Sequence, residues 1–172
     1  LLFPQKVNTG FAGGNNIGMQ VAIDAKCDFV YLLNDDTEVH PDFLWEAVQV
    51  MKSSEKIAGV QSKLLLHPRT DLINSLGNKT HYLGYGYCDG YKVMDHFVSD
   101  KEICYFSGAA VLLRMEALRK VGFFEEDFFM YAEEIEWCGR LRKQGKLLLF
   151  AEPTVTHIGG GTSSDYYDTT EN

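Results

Sequence analysis

The spacing of hydrophobic positions predicts a chain in which helices and strands alternate. Residues 29–33 are apolar throughout, which is typical of a strand covered on both faces, as in a parallel sheet. Before them, residues 10–25 predict a glycine-rich turn that opens a helix. After them, residues 41–51 predict a helix with proline in its first turn, and residues 57–61 predict a short strand. This order of elements is that of an α/β domain.

The middle of the chain has a different pattern. Aromatic residues alternate with glycines over residues 81–87, and across residues 64–103 we expect a long, partly extended excursion that serves as a binding loop or lid. Regular structure is expected to resume as a strand, two helices and a further strand, at 105–114, 115–121, 131–143 and 146–150. Glu152 and Pro153 are expected to break this last strand.

Composition and charge exclude several classes of protein. The chain has 172 residues, of which 45% are hydrophobic and 23% charged, so it can fill one globular core. Its net charge is −8, and no basic cluster is visible, which argues against binding to nucleic acid. The four cysteines are widely spaced, and we expect buried free thiols in a reducing compartment. The sequence therefore predicts a cytoplasmic protein.

Two carboxylates directly follow the first predicted strand. Ligands of α/β sheets gather beyond the carboxyl ends of the strands, so Asp35 and Asp36 lie where functional side chains are expected. Together with Asn34 they offer hard oxygen ligands on a tight turn, which suit Mg²⁺ or Mn²⁺. The alternative is a solvated turn, because Asn and Asp are also common turn formers.

A helical wheel over residues 131–143 separates the acidic residues of the last helix. Glu134 falls in the middle of the apolar face, where loss of water raises the pKa of a carboxyl towards the range of a general base. The alternative is a buried structural carboxylate paired with an arginine. Glu133 and Glu136 fall on the opposite, solvated face, and Glu136 is spaced to pair with Arg140.

Two further segments are candidates for ligand contacts. His157 precedes glycines at residues 159–161, which permit close backbone approach or a mobile flap. A single histidine is more often structural, and only proximity to Asp36 would favour a metal ligand. Residues 8–18 could present backbone N–H groups to a phosphate at a helix start, although they match neither GxGxxG nor the P-loop.

Taken in order, these segments resemble family 2 glycosyltransferases of the GT-A fold, particularly the bacterial rhamnosyl- and galactofuranosyltransferase-like branch. The blocks that carry the resemblance are residues 8–18, 33–37, 106–124, 128–138 and 157–161. The resemblance implies an α/β nucleotide-diphospho-sugar transferase fold with a mostly parallel mixed sheet flanked by helices. It further implies that residues 1–172 are a partial GT-A domain without the first strands, and that residues 64–103 are a variable donor and acceptor loop region.

The resemblance also implies roles for individual residues. Asp36, at the position of the family's DXD motif, and His157 would bind a divalent cation, Mn²⁺ or Mg²⁺. Glu134 would be the catalytic base, one methylene longer than the aspartate found there in the family. The implied contacts to the nucleotide-sugar are Asn34, Asp35, Asn16 and Gly13. The implied acceptor contacts are Trp137, Glu133 and Tyr131, since sugars stack on aromatic faces.

The expected function is that of an inverting glycosyltransferase in cell wall or polysaccharide biosynthesis. It would move a sugar from a nucleotide-diphosphate donor to a hydroxyl of a glycan, polysaccharide or lipid-linked saccharide, by metal-assisted single displacement. The longer protein could associate peripherally with the inner face of the membrane. A second copy of the chain could bind at exposed sheet edges. The alternatives are a GT-A-like nucleotidyltransferase and a noncatalytic carbohydrate-binding or assembly domain.

Overall fold

The computed structural model describes residues 2–158, without the side chains of residues 150–153. In chain order the elements are α1 (Gly10–Asp24), β1 (Phe29–Leu33), β2 (Thr37–Val39), α2 (Phe43–Lys52), β3 (Ile57–Leu66), β4 (Ile73–Ser75), β5 (Asn78–Thr80), β6 (Gly86–Cys88), β7 (Lys101–Glu102), β8 (Ala110–Arg114), α3 (Met115–Val121), α4 (Glu133–Leu141) and β9 (Lys146–His157). A 3₁₀ turn over Glu126–Phe128 precedes α4. Within the described range no helix is long and apolar enough to cross a bilayer.

The strands form a mixed sheet with the order β1-β8-β3-β9-β2, and β4 and β7 lie beside β3 and β9. Strands β5 and β6 form a separate hairpin. The predicted α/β fold is confirmed, with helices on both faces of the sheet. Among the described strand pairs β3–β9 is parallel and the others are antiparallel. The sheet is mixed as predicted, but most of its described pairs are antiparallel and the expectation of a mostly parallel sheet is wrong. An apolar run indicates that both faces of a strand are covered, which antiparallel neighbours also permit.

The two faces of the sheet bury different helices. Helices α1, α3 and α4 pack on one face in the larger hydrophobic cluster, and α2 packs on the other. Strand β1 shows the arrangement clearly, because Val30 and Leu32 belong to the first cluster and Phe29 and Tyr31 to the second. The prediction that β1 is covered on both faces is therefore confirmed.

The glycine-rich segment before β1 is helical, so the predicted turn is wrong. Gly13 lies inside α1, and α1 begins at Gly10 with a φ of +68°. A Cβ on Gly13 would lie 2.7 Å from the Cβ of Thr9. The glycine thus permits close packing at the helix start, which a sequence pattern does not distinguish from a turn.

The predicted break at Glu152 and Pro153 is also wrong, since β9 continues to His157. Its register against β3 shifts between the pairs Ser62–Phe150 and Leu64–Val155. An irregularity of this kind accommodates a proline within a strand. Its consequence is that His157 is placed by sheet pairing.

The four cysteines are free, as predicted, but the prediction that they are buried holds for Cys138 alone. Cys27 and Cys104 are exposed and Cys88 is half-buried.

The excursion over residues 64–103 contains β4 to β7, so part of it belongs to the sheet and part forms the β5–β6 hairpin. The excursion thus contains short strands that the sequence pattern did not predict.

Candidate functional site

A cavity of about 600 Å³ lies where β1 and β9 end. Six separate parts of the chain line it: the start of α1, the turn after β1, the β5–β6 hairpin, residues 105–109 before β8, the segment that leads into α4 with the start of that helix, and the end of β9. The predicted site residues in its lining are Asn34, Asp36, Tyr131, Glu133, Glu134 and His157. The position agrees with the expectation that ligands lie beyond strand ends.

Strand pairing brings Asp36 and His157 together. Thr37 of β2 pairs with His157 of β9, and the N–H of Ile158 donates to the carbonyl of Asp36 at 2.9 Å. Asp36 Oδ1 consequently lies 3.3 Å from His157 Nε2. The condition that the sequence set for His157, proximity to Asp36, is met.

These two side chains fit a divalent cation. Asp36 Oδ1 is buried and has no hydrogen-bond partner among the described residues, including the nearby imidazole. Neighbouring ligands of one octahedral cation lie about 3 Å apart, close to the separation of Oδ1 and Nε2. The described residues contain no cluster of three or more metal-binding side chains. Two protein ligands suffice where phosphates and water complete the shell, as is common for Mg²⁺.

The other two polar residues of the turn after β1, Asn34 and Asp35, differ in their exposure. Asn34 lines the cavity, and its backbone N–H donates to the carbonyl of Ala109 at 3.0 Å. Its carbonyl accepts a hydrogen bond from Thr37 Oγ1 at 2.7 Å, which closes the turn. Asp35 is exposed and is not part of the cavity lining, so the structure does not bring it to the site.

Glu134 enters the cavity from the first turn of α4. Its Oε1 accepts a hydrogen bond from the backbone N–H of Gly108 at 3.2 Å. Burial, and secondly the neighbouring charge of Glu133, raise the pKa of Glu134 to about 7. A carboxyl with this pKa is suited to proton transfer near neutral pH. Gly108 is required at this approach, because a Cβ there would lie 2.3 Å from Phe11 Cζ.

Glu133 is buried, so its predicted place on a solvated face is wrong. The residue is only 2% exposed, its Oε2 has no hydrogen-bond partner within the described structure, and burial raises the pKa of its carboxyl. A helical wheel considers one helix and omits the elements that cover it from elsewhere in the chain. The predicted pair of Glu136 with Arg140 is confirmed, with both carboxylate oxygens accepting at 2.7 Å.

Trp137 cannot contact an acceptor at this cavity, which corrects the role inferred from the resemblance. Its side chain is fully buried, and its indole N–H donates to the carbonyl of Gly122 at 2.7 Å. It packs against the rings of Phe106 and Phe124. In contrast, Tyr131 is 66% exposed and lines the cavity.

Asn16 and Gly13 also lie outside the cavity lining, contrary to the predicted nucleotide contacts. Asn16 Nδ2 donates to the carbonyl of Phe124 and to Glu126 Oε1, and its Oδ1 accepts from the N–H of Phe124, all at 3.0 Å. These bonds join α1 to the segment before α4. The structure thus gives Asn16 a packing role.

Several residues at the cavity had no site role assigned from the sequence, among them Tyr85 in its lining and Gly108 beside it. Tyr85 of the β5–β6 hairpin lines it, and the alternation of aromatic residues and glycines in this segment was the available signal. Gly108 supplies its N–H from a run of small residues, but no pattern identifies a single N–H donor. The glycines at residues 159–161 lie outside the described residues.

Comparisons with known proteins identify a family and agree with the fold. The model of glycosyl transferase family group 2 matches residues 29–169. The low-salt glycan biosynthesis hexosyltransferase Agl10 of Haloferax volcanii is 26% identical over 140 residues. That match covers 80% of this chain and 44% of Agl10, so the chain spans less than half the length of this relative.

Solved structures share the fold at low sequence identity. GalNAc-T7, crystallised with UDP, GalNAc and Mn²⁺, has a TM-score of 0.71 and 14% identity, over 91% of this chain and 32% of that protein. TarS of S. aureus has a TM-score of 0.60 and 12% identity, over 90% of this chain and 25% of that protein. Both are glycosyltransferases of the GT-A fold. With a family model that matches most of its length, the chain belongs to glycosyl transferase family group 2.

Proposed function

We propose that this chain carries the catalytic site of a metal-assisted, inverting glycosyltransferase. The donor is a nucleotide-diphosphate sugar, and the acceptor is a hydroxyl of a saccharide or a lipid-linked saccharide. One observation carries the proposal: the Glu134 carboxyl, with a pKa of about 7, lines the same cavity as the unpartnered Asp36 Oδ1 and His157. A proton acceptor and a cation site are the two groups that such a transfer requires.

The comparisons support the donor and the cation. GalNAc-T7 was crystallised with UDP and Mn²⁺, and Agl10 is a hexosyltransferase, which favours a hexose as the transferred sugar. A divalent cation held by Asp36 and His157 would neutralise charge on the departing diphosphate. Asn34 lies in the same lining as Asp36, which supports a contact with the nucleotide-sugar.

The chemistry assigned to Glu134 is a single displacement. Its carboxylate takes the proton of the acceptor hydroxyl, whose oxygen forms a bond to the anomeric carbon. The bond from that carbon to the phosphate oxygen breaks, and its electron pair leaves with the nucleoside diphosphate. Because attack and departure occur on opposite sides, the anomeric configuration inverts. Tyr131, exposed at the cavity, offers an aromatic face to the acceptor.

The cation and donor site is tested by thermal unfolding with UDP, dTDP and GDP in turn, each with and without Mn²⁺. We expect Tm to rise when metal and one nucleotide are both present, since a ligand at a hundred times its Kd stabilises by about 2.7 kcal/mol. Asp36→Ala should lose this rise. Asp35→Ala is the matched control, because Asp35 is exposed beside the cavity, and it should keep the rise. An undiminished rise in Asp36→Ala would contradict the site.

The role of Glu134 is tested by sugar transfer. Glu134→Gln should reduce kcat by about 10² to 10⁴-fold, the range for loss of a general base, and keep the nucleotide-dependent rise in Tm. Glu136→Gln is the control on the same helix, since Glu136 pairs with Arg140 outside the cavity. A noncatalytic binding domain would bind its ligand equally well with Asp36→Ala and Glu134→Gln. A nucleotidyltransferase would not need the Glu134 carboxylate.

A further inference from the structure

A β-bulge directs one side chain of β4 towards the site. Strands β3 and β4 are antiparallel, with Leu64 opposite Ser75 and Leu65 opposite Ile73. This register leaves Asn74 without an opposite residue on β3, as the extra residue of a bulge. Bulges commonly redirect a side chain next to a functional site.

The redirected side chain contacts His157. Asn74 Oδ1 lies 3.3 Å from His157 Nδ1, on the opposite side of the imidazole from the Nε2 atom that faces Asp36. The backbone of His157 is itself fixed, because it pairs with Leu66 of β3 and its carbonyl accepts the N–H of His67 at 3.1 Å. Both the position and the second nitrogen of the ring are therefore held by the protein.

The contact decides which nitrogen of the neutral imidazole carries hydrogen. The oxygens of Asn74 and Asp36 can both only accept, but only the contact between Asn74 and Nδ1 has hydrogen-bond geometry, which assigns the N–H to Nδ1. A neutral imidazole has a single N–H, and its other nitrogen then carries a free lone pair. That nitrogen is Nε2, which lies 3.3 Å from the buried and unpartnered Asp36 Oδ1.

We propose that Asn74 is a positioning residue of this site, which holds His157 in the Nδ1–H tautomer and so presents the Nε2 lone pair beside Asp36. The use of that lone pair for a cation rests on the proposed function. The tautomer itself does not, because it follows from the contact between Asn74 and His157 alone.

The tautomer is measured by two-bond ¹H–¹⁵N correlation spectra of the ¹⁵N-labelled, metal-free chain at pH 8.5. The signals of His157 are identified by their loss in His157→Gln. We expect the Nδ1–H form in the unsubstituted chain, and its loss in Asn74→Leu, which has a similar shape but no acceptor. Asn74→Asp keeps an oxygen acceptor and should retain the form. An Nε2–H tautomer in the unsubstituted chain, or an unchanged tautomer in Asn74→Leu, would overturn the proposal.

Binding of Mn²⁺ alone, followed by the electron paramagnetic resonance signal of the free ion, gives a second readout. Substitution of a residue that orients a metal ligand usually weakens binding by about 10 to 100-fold, and we expect this in Asn74→Leu but not in Asn74→Asp. If the unsubstituted chain has the Nδ1–H tautomer and binds no Mn²⁺, the cation of the proposed function fails and the assignment of Asn74 stands. If the tautomer is Nε2–H, the assignment of Asn74 fails whatever Mn²⁺ does.

Discussion

Glu134 is placed among groups that oppose its ionisation. Burial is the largest cause of its raised pKa, Glu133 adds a neighbouring negative charge, and the N–H of Gly108 partly offsets both by donating to the carboxylate. The other titratable groups that interact with it are Cys88, Tyr105 and Cys138. At this scale, a single carboxyl sets the pH range in which the site can accept a proton.

The first prediction concerns the pH dependence of transfer. The pKa of Glu134 is about 7, so at lower pH its carboxyl is protonated and cannot act as a base. We therefore expect kcat/KM to rise as the pH increases through 7. The measurement is kcat/KM for sugar transfer between pH 5 and 9, with a check that the protein remains folded throughout. Glu134→Gln should remove this limb of the profile, and a flat profile between pH 5 and 8 in the unsubstituted enzyme would contradict the assignment.

The second prediction concerns Gly108. In Gly108→Ala the new Cβ would lie 2.3 Å from Phe11 Cζ and 3.2 Å from Glu134 Oε1, so Phe11 must move and the hydrogen bond to Glu134 must weaken. We expect a loss of about 1 to 3 kcal/mol in the free energy of unfolding. Because the bond from Gly108 lowers the pKa of Glu134, the rising limb of the pH profile should move to higher pH.

Gly139→Ala is the matched control for this substitution. Gly139 lies in α4 with no atom within 4 Å of the added Cβ, so alanine should stabilise the helix by about 0.5 to 1 kcal/mol. Urea unfolding measures both variants. Equal effects of the two substitutions would show that Gly108 has no special contact with Phe11 and Glu134.

Among the elements, α1 depends on one buried amide. Asn16 pairs with both backbone groups of Phe124, so Asn16→Ala leaves the N–H and the carbonyl of Phe124 without these partners. We expect the free energy of unfolding to fall by about 2 to 3 kcal/mol. Nucleotide affinity should be unchanged, since Asn16 is outside the cavity.

Asn15→Ala provides the comparison for Asn16, because Asn15 bonds only within α1, through Nδ2 to the carbonyl of Phe11 at 2.9 Å. It should cost less than about 1 kcal/mol. Both variants are measured by urea unfolding and by titration with the nucleotide that raises Tm. If Asn16→Ala is fully folded and yet binds the nucleotide more weakly, Asn16 contacts the nucleotide, as the resemblance implied.

Elements with a regular hydrophobic period were predictable from sequence. Residues 115–121 form α3 as predicted, and β1 has the predicted bounds. What the sequence did not predict depends on the rest of the fold. Strand β9 continues past Pro153 because β3 and β2 pair with it, and Glu133 is buried although it lies opposite the apolar face of its helix. The site shows the same contrast. The helical pattern of the sequence was enough to predict that Glu134 is buried at the site, whereas the position of Asn74 depends on a bulge that only the strand pairing reveals.

For the molecule as a whole, the two tryptophans report on different environments. Trp45 is 65% exposed on α2, whereas Trp137 is fully buried between the helices of the larger cluster. The sheet separates the cluster that contains Trp137 from the one that contains α2. The fluorescence of Trp45 therefore reports on the exposed surface of α2, and that of Trp137 on the core of the larger cluster.

The fourth prediction uses this contrast. In Trp45→Phe the remaining emission comes from Trp137, and it should be blue-shifted and resist quenching by iodide until the chain unfolds. In Trp137→Phe, Trp45 should be quenched in the folded state, and stability should fall because a buried ring and its bond to Gly122 are altered. Ready quenching of Trp137 in folded Trp45→Phe would return this residue to the list of acceptor contacts.

The parallel pairing of β3 with β9 has a consequence for the order in which the protein acquires its site. His157 ends β9, and it reaches Asp36 only when β9 has been inserted between β3 and β2. Pairings between distant segments form slowly, because closing the long intervening loop costs entropy before the contacts compensate for it. During synthesis, Asp36 leaves the ribosome before His157, so the proposed cation site is incomplete in the nascent chain until β9 docks. Binding of a nucleotide-sugar at the proposed site would therefore wait until the sheet has folded.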